Sequence, residues 1–179
     1  ESARMILADD NFATLVAAIR EGRAIFENIK KFLRYLLSSN MGEVFTVFFG
    51  VIAARRLGLA DPDGTLELPL LATQILWVNL VTDALPALAL GIDPETDDVM
   101  SRRPRTIDTR VIDASMWSGI LLIGVTVAIA TLAAIDASLP GGFIEGSGSL
   151  IQARTSGFTV VVLAQMFNVF NSRSETSSA

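Results

Sequence analysis

Residues 77–94 read WVNLVTDALPALALGIDP, a largely apolar run with polar groups inside it. It is apolar apart from a few polar groups, chiefly the Asn79 amide and the Asp83 carboxylate. An ionisable group at membrane depth costs about 3 kcal/mol or more, so it normally faces a bundle interior or a water cavity. Pro86 has no amide hydrogen, which predicts a helix break that leaves the Thr82 carbonyl free beside Asp83. The stretch therefore predicts a broken membrane helix that carries a polar site.

The composition of the whole chain agrees with a membrane protein. Of 179 residues, 51% are hydrophobic and 18% are charged, whereas ordinary globular chains carry about 25% charge. There is no Cys and no His, which excludes zinc-hydrolase, haem and Cys or His nucleophile chemistry in this chain. The net charge of −5 argues against nucleic acid as a partner, because nucleic-acid binding requires a basic surface.

Four segments are long and apolar enough to cross a bilayer, whose core of about 30 Å needs about 20 helical residues. They are residues 32–54, 68–90, 114–135 and 155–171. The charged helical pattern at 15–31 runs directly into the first span, which predicts a cytoplasmic stalk helix continuous with it. The predicted fold class is an all-α membrane protein, a bundle of four transmembrane helices with a stalk.

The distribution of basic residues predicts the orientation in the membrane. Lys and Arg concentrate in cytoplasmic segments. A cytoplasmic amino end places eleven of them inside and only Arg55, Arg56 and Arg154 outside. Residues 91–113 then form a cytoplasmic loop, and residues 174–179 form a cytoplasmic tail.

Two carboxylates lie within the predicted spans, Glu43 and Asp83, and no basic residue lies beside them. Asn40 is three residues before Glu43, and Asn79 is four before Asp83, so each pair shares a helix face. Gln165 of the fourth span is a possible addition. Hard cations such as Ca²⁺ take six to eight oxygen ligands, and soft metals prefer sulfur or imidazole. This oxygen-only set indicates calcium, manganese, sodium or a proton.

Other polar residues have simpler interpretations. Hydroxyl and amide groups in membrane helices often only bridge neighbouring helices, and we expect this of Ser38, Ser39, Thr46 and Asn168. Acidic residues in the outer connections are expected to be solvated rather than to gather cations. They are Asp61, Asp63, Glu67 and Glu145.

The motifs SSNMGEV (38–44), WVNLVTDALPALALGIDP (77–94) and QMFNVFNSRS (165–174), preceded by LADDNFATLVAAIREGRAIFENIKKFLRYL (7–36), resemble a known family. They are similar to the carboxy-terminal part of calcium-transporting P-type ATPases of the sarcoplasmic-reticulum pump type. The resemblance implies that the spans are the fifth to eighth of ten membrane helices. It also implies that residues 1–14 are the tail of the phosphorylation domain, 15–31 the stalk and 32–173 the transmembrane domain.

In that family, ATP hydrolysis through an aspartyl-phosphate drives calcium outward or into an organelle against protons. The DKTGT phosphorylation motif is absent from this sequence, so we expect a fragment without catalytic or cofactor-binding residues. Mg²⁺ and ATP would act only in the parent protein. The expected partners are the lipid bilayer, the missing amino-terminal domains and the remaining helices of the same pump. The expected location is the plasma membrane, as a multi-pass protein.

The resemblance also implies a set of ion ligands. Those of a first calcium site correspond to Asn40, Glu43, Thr82 and Asp83, and those of a second site correspond to Asn79 and Asp83. A Glu on the missing fourth helix would complete the second site. Where two-site pumps have Glu on the eighth helix, this chain has Gln165. We therefore expect one well-formed calcium site, with manganese as an alternative ion.

Two other classes of function fit the same residues. A secondary cation transporter or channel would use the intramembrane acids without ATP, because such transporters also bind ions at broken helices. A purely structural four-helix bundle would transport nothing.

Overall fold

The computed structural model describes residues 11–61, 63–94, 100–101 and 111–173. Within these ranges all secondary-structure elements longer than a single bridge are helices, which confirms the all-α class. The helices are α1 (Phe12–Ile52), α2 (Ala72–Trp77), α3 (Ala84–Gly91), α4 (Ala114–Asp136) and α5 (Leu150–Arg173), and a π-helical segment (Val78–Thr82) joins α2 to α3. The predictions for residues 1–10, for most of the loop 91–113 and for the tail 174–179 lie outside the described residues.

Helix α1 contains both the stalk and the first span. It begins where the Asn11 side chain accepts a hydrogen bond from the Ala13 amide at 3.0 Å, an N-cap that satisfies one of the first free amides. Its 41 residues extend about 60 Å, twice the thickness of a bilayer core. The predicted continuity of stalk and span is therefore confirmed, and residues 12–14, which we had expected in the preceding tail, are already helical.

The third span begins at Ala114 as predicted, whereas the second and fourth differ from their predicted limits at their first turns. The second begins at Ala72 rather than at residue 68, where the Leu71 amide donates to the Gln74 side chain at 2.9 Å. The fourth begins at Leu150 rather than at residue 155. There the Ser149 backbone amide donates to the Gln152 side-chain oxygen at 2.9 Å, and the Gln152 backbone amide donates to the Ser149 hydroxyl at 3.4 Å. This capping box starts the helix earlier than predicted. Four helical units are long and apolar enough to cross a membrane in the described part of the chain.

Helix α1 is the centre of the bundle and packs against α3, α4 and α5. Close approach of α1 and α4 depends on glycine, because a Cβ added to Gly42 would lie 3.0 Å from Val127 and one added to Gly124 would lie 3.0 Å from Met41. Small residues at membrane-helix contacts permit such packing. Large apolar side chains such as Leu122 remain exposed on the outside, as expected for a surface in contact with lipid or further helices.

The two ends of the bundle have different connections. At one end, called the Asp93 end, Asp93 after α3 meets the stalk part of α1 and the last turn of α5. At the other, called the Glu67 end, Arg154 pairs with Glu67 at 2.8 Å and donates to the Leu68 carbonyl at 3.0 Å. This ion pair supports a structural role for Glu67 rather than cation gathering.

Candidate cation site

Glu43 lies in the last third of α1, near the middle of the first predicted span, and is 4% exposed. Its Oε2 accepts a hydrogen bond from Asn79 Nδ2 at 2.8 Å, and its Oε1 accepts one from Gln165 Nε2 at 2.9 Å. Asn79 is in the π-helical segment and Gln165 is in α5. Three separate spans therefore meet at one carboxylate, through three of the predicted ligand residues.

Asp83 is the second acid of the site and is 1% exposed. Its Oδ1 accepts a hydrogen bond from the Tyr35 hydroxyl at 2.9 Å, and its Oδ2 is buried without a hydrogen-bond partner among the described residues. Asp83 follows, by four residues, Asn79, whose side chain donates to Glu43. Burying a charge is costly unless it is paired and hydrogen-bonded, and Asp83 Oδ2 is therefore an acceptor left open in this site.

The π-helical segment determines how Asn79 and Asp83 are presented. The Asp83 amide bonds the Val78 carbonyl, five residues back, at 2.9 Å, and the Ala87 amide then bonds the Asp83 carbonyl at 3.0 Å. The sequence predicts a break at Pro86, but in the structure Pro86 lies in the first turn of α3, which continues to Gly91. The structure adds a widened turn directly before Asp83, and such π turns occur frequently at functional sites.

The remaining predicted ligands occupy different positions. Thr82 is buried beside Asp83, at the end of the π-helical segment. Asn40 is exposed, and its amide donates to the Leu36 carbonyl of its own helix at 2.8 Å. In the described part of the chain no three acids lie together as a metal cluster. The residues brought together are thus two acids with neutral amide and hydroxyl groups, while Asn40 remains a prediction.

Tyr35 was missed by the sequence reasoning. It is the single tyrosine of the chain and is fully buried. It precedes Glu43 by eight residues, which places the two side chains about 80° apart on the same side of α1. Its hydroxyl group within a predicted span was the available signal, and the contact with Asp83 appears only in the packed structure.

A second polar contact lies between α1 and α5. Asn168 Nδ2 donates to the Ser38 hydroxyl at 2.7 Å and more weakly to Ser39 at 3.4 Å, which confirms the helix-bridging interpretation for these residues. Thr46 behaves differently, because its hydroxyl bonds the Gly42 carbonyl of its own helix at 2.7 Å.

Comparison with known proteins identifies the family. The family described as "Cation transporting ATPase, C-terminus" matches residues 67–179. A calcium-transporting ATPase of Bacillus subtilis is 43% identical over 177 residues, which cover 99% of this chain and 18% of that protein. An endoplasmic reticulum-type calcium-transporting ATPase of Arabidopsis thaliana is 37% identical, with 97% of this chain and 19% of the relative covered.

A calcium-transporting ATPase of Bacillus cereus is 39% identical, with 99% of this chain and 20% of the relative covered. The chain thus spans about a fifth of the length of the curated relatives it matches. It belongs to the cation-transporting P-type ATPases, whose carboxy-terminal membrane region it represents.

Proposed function

We propose that this chain carries the intramembrane ion site of an ATP-driven calcium pump. The observation that carries the proposal is the pair of buried acids, Glu43 and Asp83, whose hydrogen bonds in the described chain come from neutral side chains. Intramembrane acids of this kind mark ion or proton paths. The names of the three relatives support calcium as the transported ion.

The oxygen atoms available suit a hard divalent ion. The two carboxylates balance its charge, and Thr82, Asn79 and Gln165 offer neutral oxygens. Asn79 and Gln165 donate N–H groups to Glu43 in this structure, and Gln165 Oε1 is buried without a partner. Rotation of either amide would present its oxygen to an ion beside Glu43. Backbone carbonyls and the fourth helix of the parent would complete the six to eight ligands of calcium.

The proposed stoichiometry is one calcium ion per transport cycle. Two carboxylates neutralise one divalent ion, and Gln165 contributes an oxygen but no charge. A second divalent ion in this low-dielectric site would lack balancing charge from this chain. Manganese accepts the same oxygen ligands and is distinguished by competition with radioactive calcium.

Transport would be coupled to ATP through α1. Because the stalk and the first span form one helix, movement of the stalk displaces Glu43 relative to Asn79 and Asp83. The shared ion then loses its ligands on one side of the membrane and is released, as alternating access requires. Protons replace it on the return step, since two buried acids without an ion need positive charge.

The proposed setting is a multi-pass protein of the plasma membrane with a cytoplasmic amino end. The excess of Lys and Arg on that side supports this orientation. The partners would be the bilayer, the pump's own cytoplasmic domains and its remaining helices, and ATP and Mg²⁺ would bind to those domains. Membership of the P-type ATPase family argues against the alternative of a secondary transporter or channel.

The test is Asp83→Asn in the full-length protein, which removes one charge at nearly constant size. We expect phosphorylation by ATP to lose its calcium dependence. Asp113→Asn is a matched control, because Asp113 caps α4 away from the site, and it should keep normal calcium dependence. Normal calcium dependence in Asp83→Asn would contradict the proposal.

A further inference from the structure

Asp93 joins three spans at the Asp93 end of the bundle. Lys31 Nζ donates to Asp93 Oδ2 at 2.7 Å, and the two side chains are only 10% and 14% exposed. Arg173 Nε at the end of α5 lies 3.2 Å from Asp93 Oδ1. The Lys31 pair is the better shielded of the two, because the Arg173 side chain is 62% exposed.

Asn28 adds a second attachment at the same place. Its Nδ2 donates to the Asp93 backbone carbonyl at 2.7 Å and lies 3.5 Å from the Gly91 carbonyl. The last carbonyls of a helix have no partner within it, so Asn28 satisfies groups at the end of α3. Asn28 and Lys31 are three residues apart on one face of α1. The stalk part of α1 thus holds both the backbone and the side chain of residue 93.

The Asp93 carboxylate is charged under ordinary conditions. Burial acts to raise its pKa, but the hydrogen bonds and charges of Lys31 and Arg173 outweigh burial and hold the pKa of Asp93 below its usual value. The ion pairs are therefore present over the working pH range of a cell.

The connection from Asp93 to the cation site is short and stiff. Helix α3 has eight residues and extends about 12 Å between Asp83 and Asp93. The π-helical segment precedes α3, at the end that carries Asp83, and the regular α-helical hydrogen bonding is already interrupted there. A displacement applied at Asp93 is therefore transmitted along α3, and the π-helical segment is the place where it can be absorbed.

We propose that Asp93 is a positioning residue that fastens α3 to the stalk, so that stalk movement is passed to α3 and displaces Asp83 as well as Glu43. This inference rests on the proposed function, because the movement is that of an ATP-driven pump. The two acids are moved by different helices. Helix α1 carries Glu43 directly, and α3, which is attached to the stalk through Asp93, carries Asp83. Without the ion pair, ATP would still move α1, but α3 would no longer follow it fully.

The experiment uses the full-length protein in vesicles and measures the calcium transported per ATP hydrolysed. For Asp93→Asn we expect this ratio to fall about fivefold or more, the lower end of typical coupling between sites. The half-saturating calcium concentration should change little, because the ligands are intact. Asp93→Glu, which keeps the charge, should restore most of the ratio. A purely structural contact would lower the amount of folded protein without changing the ratio.

Lys31→Met provides a second variant that removes the same ion pair from the other side. The double variant with Asp93→Asn should be no worse than the more impaired single variant, because both remove one interaction. Glu67→Gln is the matched control at the opposite end of the bundle and should leave the ratio unchanged.

An unchanged ratio in Asp93→Asn, or an equal fall in Glu67→Gln, would overturn the inference. Failure of the unaltered protein to transport calcium would instead overturn the proposed function, so the two failures are distinguishable.

Discussion

Two regions of the bundle bury acids in opposite ways. Asp136 at the end of α4 is 2% exposed, and its two oxygens accept hydrogen bonds from the Phe143 and Ile144 amides, each at 2.9 Å. Glu43 is equally buried, but its donors are the side-chain amides of Asn79 and Gln165. Backbone donors are fixed by the fold, whereas side-chain amides can rotate.

This difference separates a structural acid from an exchangeable one. The carboxylate of Asp136 fastens the loop after α4, where Gly142 leaves no room for a Cβ beside it. Its hydrogen bonds cannot be exchanged for an ion without unfolding that loop. Glu43 can exchange N–H donors for a cation because each amide also carries an oxygen. Burial alone therefore does not distinguish the two acids, whereas the type of hydrogen-bond donor does.

The largest expected effect is at Glu43. Glu43→Gln in the full-length protein should weaken calcium binding by about 2 to 5 kcal/mol, which is about 30-fold or more in affinity. The reason is that one of two balancing charges is lost while the shape is kept. Calcium titration of the ATPase activity measures the effect. An affinity within the error of the unaltered protein would show that Glu43 is no ligand.

At Asp136 we expect a loss of stability instead of a loss of affinity. Asp136→Ala removes two charge-assisted hydrogen bonds and should lower the free energy of unfolding by about 2 to 4 kcal/mol. The measurement is the apparent melting temperature in detergent, together with calcium affinity of the protein that remains folded. Weaker calcium binding at an unchanged melting temperature would mean that Asp136, like Glu43, acts on calcium binding and not on stability.

A smaller change sharpens the distinction at Gln165. Gln165→Glu adds a third carboxylate to the site, and the calcium bound per protein should rise from about one toward about two, since a second ion then gains balancing charge. Equilibrium binding of radioactive calcium measures this ratio. The variant Gln165→Met serves as control, because it removes the oxygen without adding charge and should not raise the ratio. Two ions bound by the unaltered protein would contradict the expectation.

The smallest effect is expected at the Glu67 end. Glu67→Gln removes a partly exposed ion pair with Arg154, and such pairs contribute less than about 1 kcal/mol. The melting temperature should shift only slightly, and the calcium affinity should not change. A clear loss of calcium affinity would mean that acids at this end do gather cations.

Sequence predicted much of this arrangement because the relevant signals are local. Hydropathy located the four spans, and the spacing of Asn79 and Asp83 placed both on the side that meets α1. The acids were visible because a charge in an apolar stretch stands out. The helix limits were less accurate, since Ser149 and Gln152 had to be read as a cap.

Other features depend on packing that spacing does not encode. The π-helical segment inserts one residue into the hydrogen-bond ladder, and its position cannot be read from hydropathy. Tyr35 reads as an apolar core residue until its hydroxyl is placed beside Asp83. The role of Asp136 depends on a loop that folds back on its own helix. Asn40 is the opposite case, a residue that the motif predicts as a ligand but whose side chain is exposed in the structure. A motif position does not reveal which way a side chain faces.

The most direct test is a structure of the full-length protein with calcium, in which anomalous scattering locates the ion. We predict the ion between the carboxylates of Glu43 and Asp83, with the Asn79 amide rotated so that its oxygen faces it. An ion bound elsewhere in the membrane region, with the two carboxylates still hydrogen-bonded to Asn79 and Tyr35, would contradict the proposal that Glu43 and Asp83 hold the transported ion.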